Sequence, residues 1–212
     1  MSQTLSTDRT TNPGRRAVAR LATEVLAPWV WVLGLPLVVA WEVTGHHLGE
    51  TLLWGLITGV TGSLIPMAVI VHGARQGKWD SHHVTDRAGR VIPFAACISS
   101  LAGGIVLLVI GNAPHEMVSL AGAEMACLFA SVAITFALKF KISMHAVVAA
   151  GATVMLVFVY GPLLLLLIPL VAWVCWSRVE LDDHTTAQVI SGAVLGAVLG
   201  GAVYLVLDAA LR

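Results

Sequence analysis

The sequence predicts an all-α protein, a polytopic bundle of about six to seven transmembrane helices. Three observations lead there. Of 212 residues, 58% are hydrophobic and only 11% are charged, whereas a soluble domain carries about 25% charged residues. Mean hydropathy is +0.87. The apolar residues also fall in runs that match the about 20 helical residues needed to cross a hydrocarbon core of about 30 Å. Formal net charge is zero, so no bulk charge points to nucleic acid. Cys97, Cys127 and Cys175 lie in apolar runs without a C-x-x-C spacing. Their odd number and placement make them packing residues rather than a disulfide framework or thiolate metal site.

Taken in order, residues 1–24 are polar and begin without an apolar h-region, which predicts a disordered cytosolic tail and no cleaved signal peptide. Residues 25–212 form the membrane domain. Its expected spans are Val25–Thr44, Leu52–Gly73, Val91–Asn112 and Met117–Leu138. The stretch from His145 to Trp176 would run about 48 Å as one helix, too long for one crossing. Gly161-Pro162 at its centre is a turn signal and splits it into Ser143–Tyr160 and Leu163–Trp176. A last span runs from about His184 to Leu207. In it Gly192, Gly196 and Gly200 recur every fourth residue, making a face on which another helix can pack closely. Pro66 and Pro93 should kink or begin their helices. Glu124 lies inside a span, where acids are costly, and reads as a structural hydrogen-bonding residue.

In a seven-helix arrangement the N-terminal tail, the Arg75–Arg90 loop, the Lys139–Lys141 turn and the Ser177–Asp183 loop share one side. Of 12 Lys and Arg, only Arg212 falls on the other. The positive-inside rule makes the shared side cytoplasmic, in a protein of the plasma membrane.

The polar clusters on that side are "KWDSHHVTDRAGRV" (78–91), "KFKISMH" (139–145) and "SRVELDDHTTAQ" (177–188). They offer Arg, Lys, Ser and His at the mouths of helices. Guanidinium groups bind phosphate bidentately, hydroxyls add donors, and helix N-termini favour anions. Two histidines suggest chemistry beyond binding, because imidazole near neutral pH can attack phosphorus or protonate a leaving alkoxide. His46, His47, His72 and His115 read as polar residues at helix ends. Asp182 and Asp183 read as a solvated loop that favours the start of the last helix. Asp80, His82, His83 and Asp86 have no recognised metal-ligand spacing.

Three spacings bear on function. Ser177-Arg178 is followed after five residues by His184 and after three more by Gln188. Ile142-Ser143-Met144-His145 precedes them, and His83 is followed after six residues by Arg90-Val91. This order resembles the phosphatidic acid phosphatase type 2 family, related to the vanadium haloperoxidases, with its K-x6-R-P, P-S-G-H and S-R-x5-H-x3-D motifs. The resemblance implies a membrane-embedded lipid phosphate phosphatase that needs no metal or cofactor. Its partners would be membrane lipids and a lipid phosphate substrate, a prenyl, polyprenyl or glycerolipid ester or diphosphate. His184 would be the nucleophile that forms a phosphohistidine, and His145 would protonate the leaving group. Arg90, Arg178 and Ser143, with the N–H of Met144, would hold the phosphate.

The chain departs from the pattern at three positions. His83 stands in place of lysine, leaving Lys78 or Lys141 to supply charge. Met144 replaces a glycine. Gln188 replaces the aspartate that orients the nucleophile; four residues from His184, it shares a helix face with it and can accept its N–H, but brings no charge. A slower enzyme is therefore expected, one that Gln188→Asp would speed up. The alternative is a catalytically degenerate member acting as an anionic-lipid binder, transporter or scaffold.

Overall fold

A computed structural model describes residues 12–77 and 91–212. Helices make up the chain there, with no strand among the described residues. They are α1 (Pro13–Val25), α2 (Pro28–Val43), α3 (Leu48–Gly59), α4 (Ile65–Arg75), α5 (Val91–Ile110), α6 (His115–Phe136), α7 (Met144–Tyr160), α8 (Ile168–Glu180), α9 (Thr186–Val194) and α10 (Gly201–Leu211).

Several of these join into longer rods. α3 and α4 run through a π-helical turn, Val60–Leu64, as one span Leu48–Arg75. α9 and α10 do the same through Leu195–Gly200, giving Thr186–Leu211. A 3-10 turn, Pro162–Leu167, leads into α8. Among the described residues five helices are thus long and apolar enough to cross a membrane, or six if α1 and α2, bent by 43° at their junction, count as one. α7 is apolar but shorter, at 17 residues. The architecture is an all-α helical bundle.

The turn expected at Gly161-Pro162 is present. Gly161 has φ 93°, a left-handed conformation that glycine adopts without a Cβ penalty, and α7 ends on it. Pro66 falls in the first turn of α4, directly after a π-turn, where its missing N–H does least harm.

One boundary needs correction. Residues 13–24, expected within a disordered tail, belong to α1. The Asn12 side chain accepts the Gly14 N–H at 2.9 Å, and Pro13 opens the first turn. Ala19, Ala22 and Thr23 are buried on the face that packs against α8, while Val18, Leu21 and Val25 are exposed. Arg15 pairs with Glu180, the last residue of α8, at 2.8 Å, and Arg16 with Asp182, just beyond it, at 3.2 Å. Polar composition concealed an amphipathic helix whose partner is distant in sequence.

The core lies between α2, α5, α6, α7 and α10, around Val39, Leu108, Met117, Leu120, Ala152 and Tyr204. α7 runs through the middle. Its Tyr160 hydroxyl donates to the Val38 carbonyl at 2.6 Å, and its other end meets α9.

Candidate functional site

The start of α9 fixes His184. Thr185 is the N-cap: its hydroxyl accepts the Gln188 N–H at 3.3 Å, and Gln188 Oε1 accepts the Thr185 N–H at 3.2 Å. This reciprocal capping box satisfies two donors that a helix start leaves open. The same Oε1 lies 3.0 Å from His184 Nδ1. A backbone N–H can only donate, so the atom it meets is the amide oxygen, and His184 Nδ1 must be the donor. In the neutral ring the lone pair then sits on Nε2. Gln188 therefore orients His184 as the sequence suggested, through a neutral carbonyl.

The end of α8 supplies the cation. Arg178 is 1% exposed. Its carbonyl accepts the N–H groups of both Asp183 and His184, each at 3.1 Å, which ties the histidine to the arginine through the backbone. Arg178 Nη2 pairs with Asp183 Oδ2 at 2.9 Å, and Nη1 donates to Thr23 Oγ1 at 3.3 Å. Arg178 Nε is buried without a hydrogen-bond partner among the described residues. Lys141 Nζ donates to the Asp183 carbonyl at 2.9 Å.

The start of α7 completes the site. Ser143 is its N-cap residue and fully buried, yet its side chain makes no cap hydrogen bond. Its N–H donates to the Gln188 carbonyl at 3.4 Å, which joins α7 to α9. Ser143 Oγ has no hydrogen-bond partner among the described residues. Met144 is half-buried, and His145, two residues into the helix end, is 6% exposed. The small residues of α9 allow this approach: a Cβ on Gly192 would lie 2.7 Å from the Ser143 carbonyl oxygen.

Six of the sequence-derived positions, Lys141, Ser143, His145, Arg178, His184 and Gln188, thus sit on three segments that meet at one end of the bundle, with Met144 beside them. Lys78, His83 and Arg90 lie outside the described residues, as do Asp80, His82 and Asp86. The reading of Asp182 and Asp183 as a solvated loop holds for Asp182, whose side chain is 71% exposed, and needs correction at Asp183. Glu180, Asp182 and Asp183 each pair with an arginine, because the 177–184 segment folds against α1 and back on Arg178. Asp183 occupies part of the guanidinium that an anion would use. Thr23 was not foreseen; the only signal for it is the small-residue spacing Ala19, Ala22, Thr23 on one face of α1. We expect Asp183→Asn to destabilise the chain by about 2 kcal/mol, since a buried guanidinium loses its partner. If the freed guanidinium takes an anion, added inorganic phosphate should restore more stability to this variant than to the parent in thermal unfolding.

At the other end, His115 Nδ1 lies 2.9 Å from Asp208 Oδ1 and Nε2 3.4 Å from Glu116 Oε1, while Asp208 pairs with Arg212 at 2.6 Å. His115 opens α6, the helix-end position expected of it, and there lies within a polar cluster with Glu116 and Asp208. His115, Glu116 and Asp208 also offer ligand atoms within 4.8 Å of one another, a spacing a metal ion could use; as placed, these groups satisfy one another.

An apolar cavity of about 180 Å³ lies among α2, α4, α5, α6 and α7. Met144 forms part of its wall, so it adjoins the polar site. Along α7 it extends to Met155, about 16 Å at 1.5 Å per residue. Comparison with family models, curated proteins and solved structures gave no match.

Proposed function

We propose that this protein is a metal-independent lipid phosphate phosphatase acting through a phosphohistidine. The observation that carries the reading is a pair of buried donors without partners among the described residues, Ser143 Oγ and Arg178 Nε, on segments joined by hydrogen bonds to an oriented histidine. Buried polar groups are nearly always satisfied. A tetrahedral anion bound here would answer both donors and draw on Arg178 for charge.

In the proposed reaction His184 Nε2 attacks phosphorus as the bond from phosphorus to the lipid oxygen breaks. His145, protonated, gives its proton to the departing alkoxide, which leaves as the alcohol. Arg178 and Ser143 stabilise the charge on the equatorial oxygens. Water then attacks the phosphohistidine and passes its proton to His145. The N–P bond breaks, the electron pair returns to Nε2, and inorganic phosphate departs. Residues outside the described ones, Arg90 above all, would add to the phosphate contacts. The hydrocarbon part of the substrate, prenyl, polyprenyl or glycerolipid, would lie among the helices.

Phosphate release by detergent-purified protein, measured over a panel of lipid phosphates in EDTA, tests this reading. Activity lost in EDTA overturns the metal-free mechanism. A second reading, an anionic-lipid binder without turnover, draws on the Arg178–Asp183 pair and on the neutral Gln188. No release from any substrate favours it.

Two further outcomes are expected. Gln188→Glu keeps the reach of the side chain and the capping box while adding a charge beside the imidazole. It should raise the phosphatase rate about tenfold, in line with the greater strength of a charge-assisted hydrogen bond; an unchanged rate counts against the orienting role. We further place the site on the cytoplasmic side of the plasma membrane, on the strength of the loop charges. A reporter fused after Leu138 should read cytoplasmic, and a periplasmic reading would reverse the topology.

A further inference from the structure

The apolar cavity contains two polar groups that nothing in the phosphate site explains. Glu124, from the middle of α6, lines it, and Glu124 Oε2 is buried with no hydrogen-bond partner among the described residues. The structural hydrogen bond expected of Glu124 from sequence is therefore missing at this oxygen. Trp31, from α2, lines the same cavity, and its Nε1–H is likewise buried and unpartnered among the described residues. An acidic residue within a membrane span is expensive and marks a functional site by default.

The surrounding backbone is also irregular. Gly62 and Ser63, in the π-turn between α3 and α4, line the cavity, as does Gly200 from the second π-turn. Interruptions of this kind recur at functional sites in helices. At Gly62 the missing side chain leaves room on the Glu124 side: a Cβ there would lie 2.9 Å from Val32 Cγ1 and 3.6 Å from Glu124 Oε2. No Lys, Arg or His is among the described residues that line it, so these supply no counter-charge.

These groups restrict the ligand. An ammonium could satisfy Glu124 but cannot accept from the Trp31 N–H. A carbonyl could satisfy Trp31 but pairs with Glu124 only where the carboxyl keeps its proton. A hydroxyl accepts from Trp31 and pairs with Glu124 in either form, and the remaining lining demands hydrocarbon. The volume, about 180 Å³, slightly exceeds that of a dry apolar cavity of about 150 Å³ that accommodates benzene. It suits one hydrocarbon segment rather than two packed chains. We propose that the cavity is a second binding site, for a neutral lipid-soluble alcohol whose hydroxyl accepts from Trp31 and hydrogen-bonds to Glu124. No phosphate is involved, so this site stands or falls independently of the phosphatase reading.

The test uses the full chain in phosphatidylcholine vesicles, photolabelled with dodecanol bearing a mid-chain diazirine. Label should reach the cavity-lining parts of α2 and α6. Unlabelled dodecanol should displace it about fivefold better than dodecane at equal membrane concentration, the factor that one net hydrogen bond supplies. Trp31→Phe, a nearly isosteric change, should reduce that advantage, and Trp31→Phe with Glu124→Leu should abolish it. Circular dichroism verifies that both variants keep their helices. His184→Ala should label like the parent. Equal displacement by dodecane overturns the proposal, as does stronger Glu124-dependent displacement by dodecylamine. Absence of label from the cavity also overturns it and leaves water as the partner of both groups.

Discussion

Phosphate release by the His184→Ala variant is expected to fall by more than about 10⁴-fold, the scale of losing a nucleophile that works as part of a unit. The fold should tolerate the change. Gln188 Oε1 keeps its bond from the Thr185 N–H, and the His184 N–H still reaches the Arg178 carbonyl. Thermal unfolding should therefore shift little while turnover disappears. A trapped, base-stable phosphoprotein formed with radiolabelled substrate should be absent from this variant and present in the parent. His145→Ala supplies the contrast. Its loss should be large for an alkyl phosphate and much smaller for an aryl phosphate, whose leaving group needs no proton. If an activated leaving group also rescued His184→Ala, the assignment of roles would be wrong.

Gly196→Ala should produce the largest loss of stability from the smallest change. A Cβ at that position would lie 2.8 Å from Val147 C and 3.0 Å from Gly151 N, and closer still to the Val147 carbonyl oxygen. All three are backbone atoms of α7, so no rotamer change can make room. The last span would have to withdraw from α7 and lose packing along its length. Overpacking a well-filled core costs about 1–3 kcal/mol where side chains can adjust; here the expected cost is about 3 kcal/mol or more. Gly103→Ala, in α5 with nothing within 4 Å of its added Cβ, should be neutral or slightly stabilising. Equal unfolding temperatures for the two variants would contradict the close approach of α7 and the π-turn of the last span. Activity should fall along with stability in Gly196→Ala, because α9 carries Gln188 and abuts Ser143.

Much of this architecture was legible because the signals are local. Runs of apolar residues marked the spans, and Gly161-Pro162 divided a run too long for one crossing. The glycines at 192, 196 and 200 marked the face of the last span that meets α7. Among site residues, the four-residue spacing of His184 and Gln188 foretold their hydrogen bond, although His184 lies before the N-cap Thr185 and the contact forms around the helix start rather than along a helix face. Contacts between segments distant in sequence left no such trace. Nothing in "SRVELDDHTTAQ" tells which acid meets which arginine, and α1 looked like a tail because its partner, α8, lies some 150 residues later. Glu124 failed in the opposite direction. Its cost inside a span was evident, yet the sequence could not show that one carboxyl oxygen would lack a partner among the described residues.

The double duty of one atom at Gln188 has a consequence for how this chain can change. Its Oε1 closes the cap of α9 and also sets the proton position on His184. Folding and the proposed chemistry are therefore not separable at residue 188. An apolar substitution there would loosen the last helix and release the imidazole to its other tautomer in one step. A side chain with an acceptor of similar reach preserves both. A change in the strength of that acceptor would alter the helix cap and the proposed reaction together.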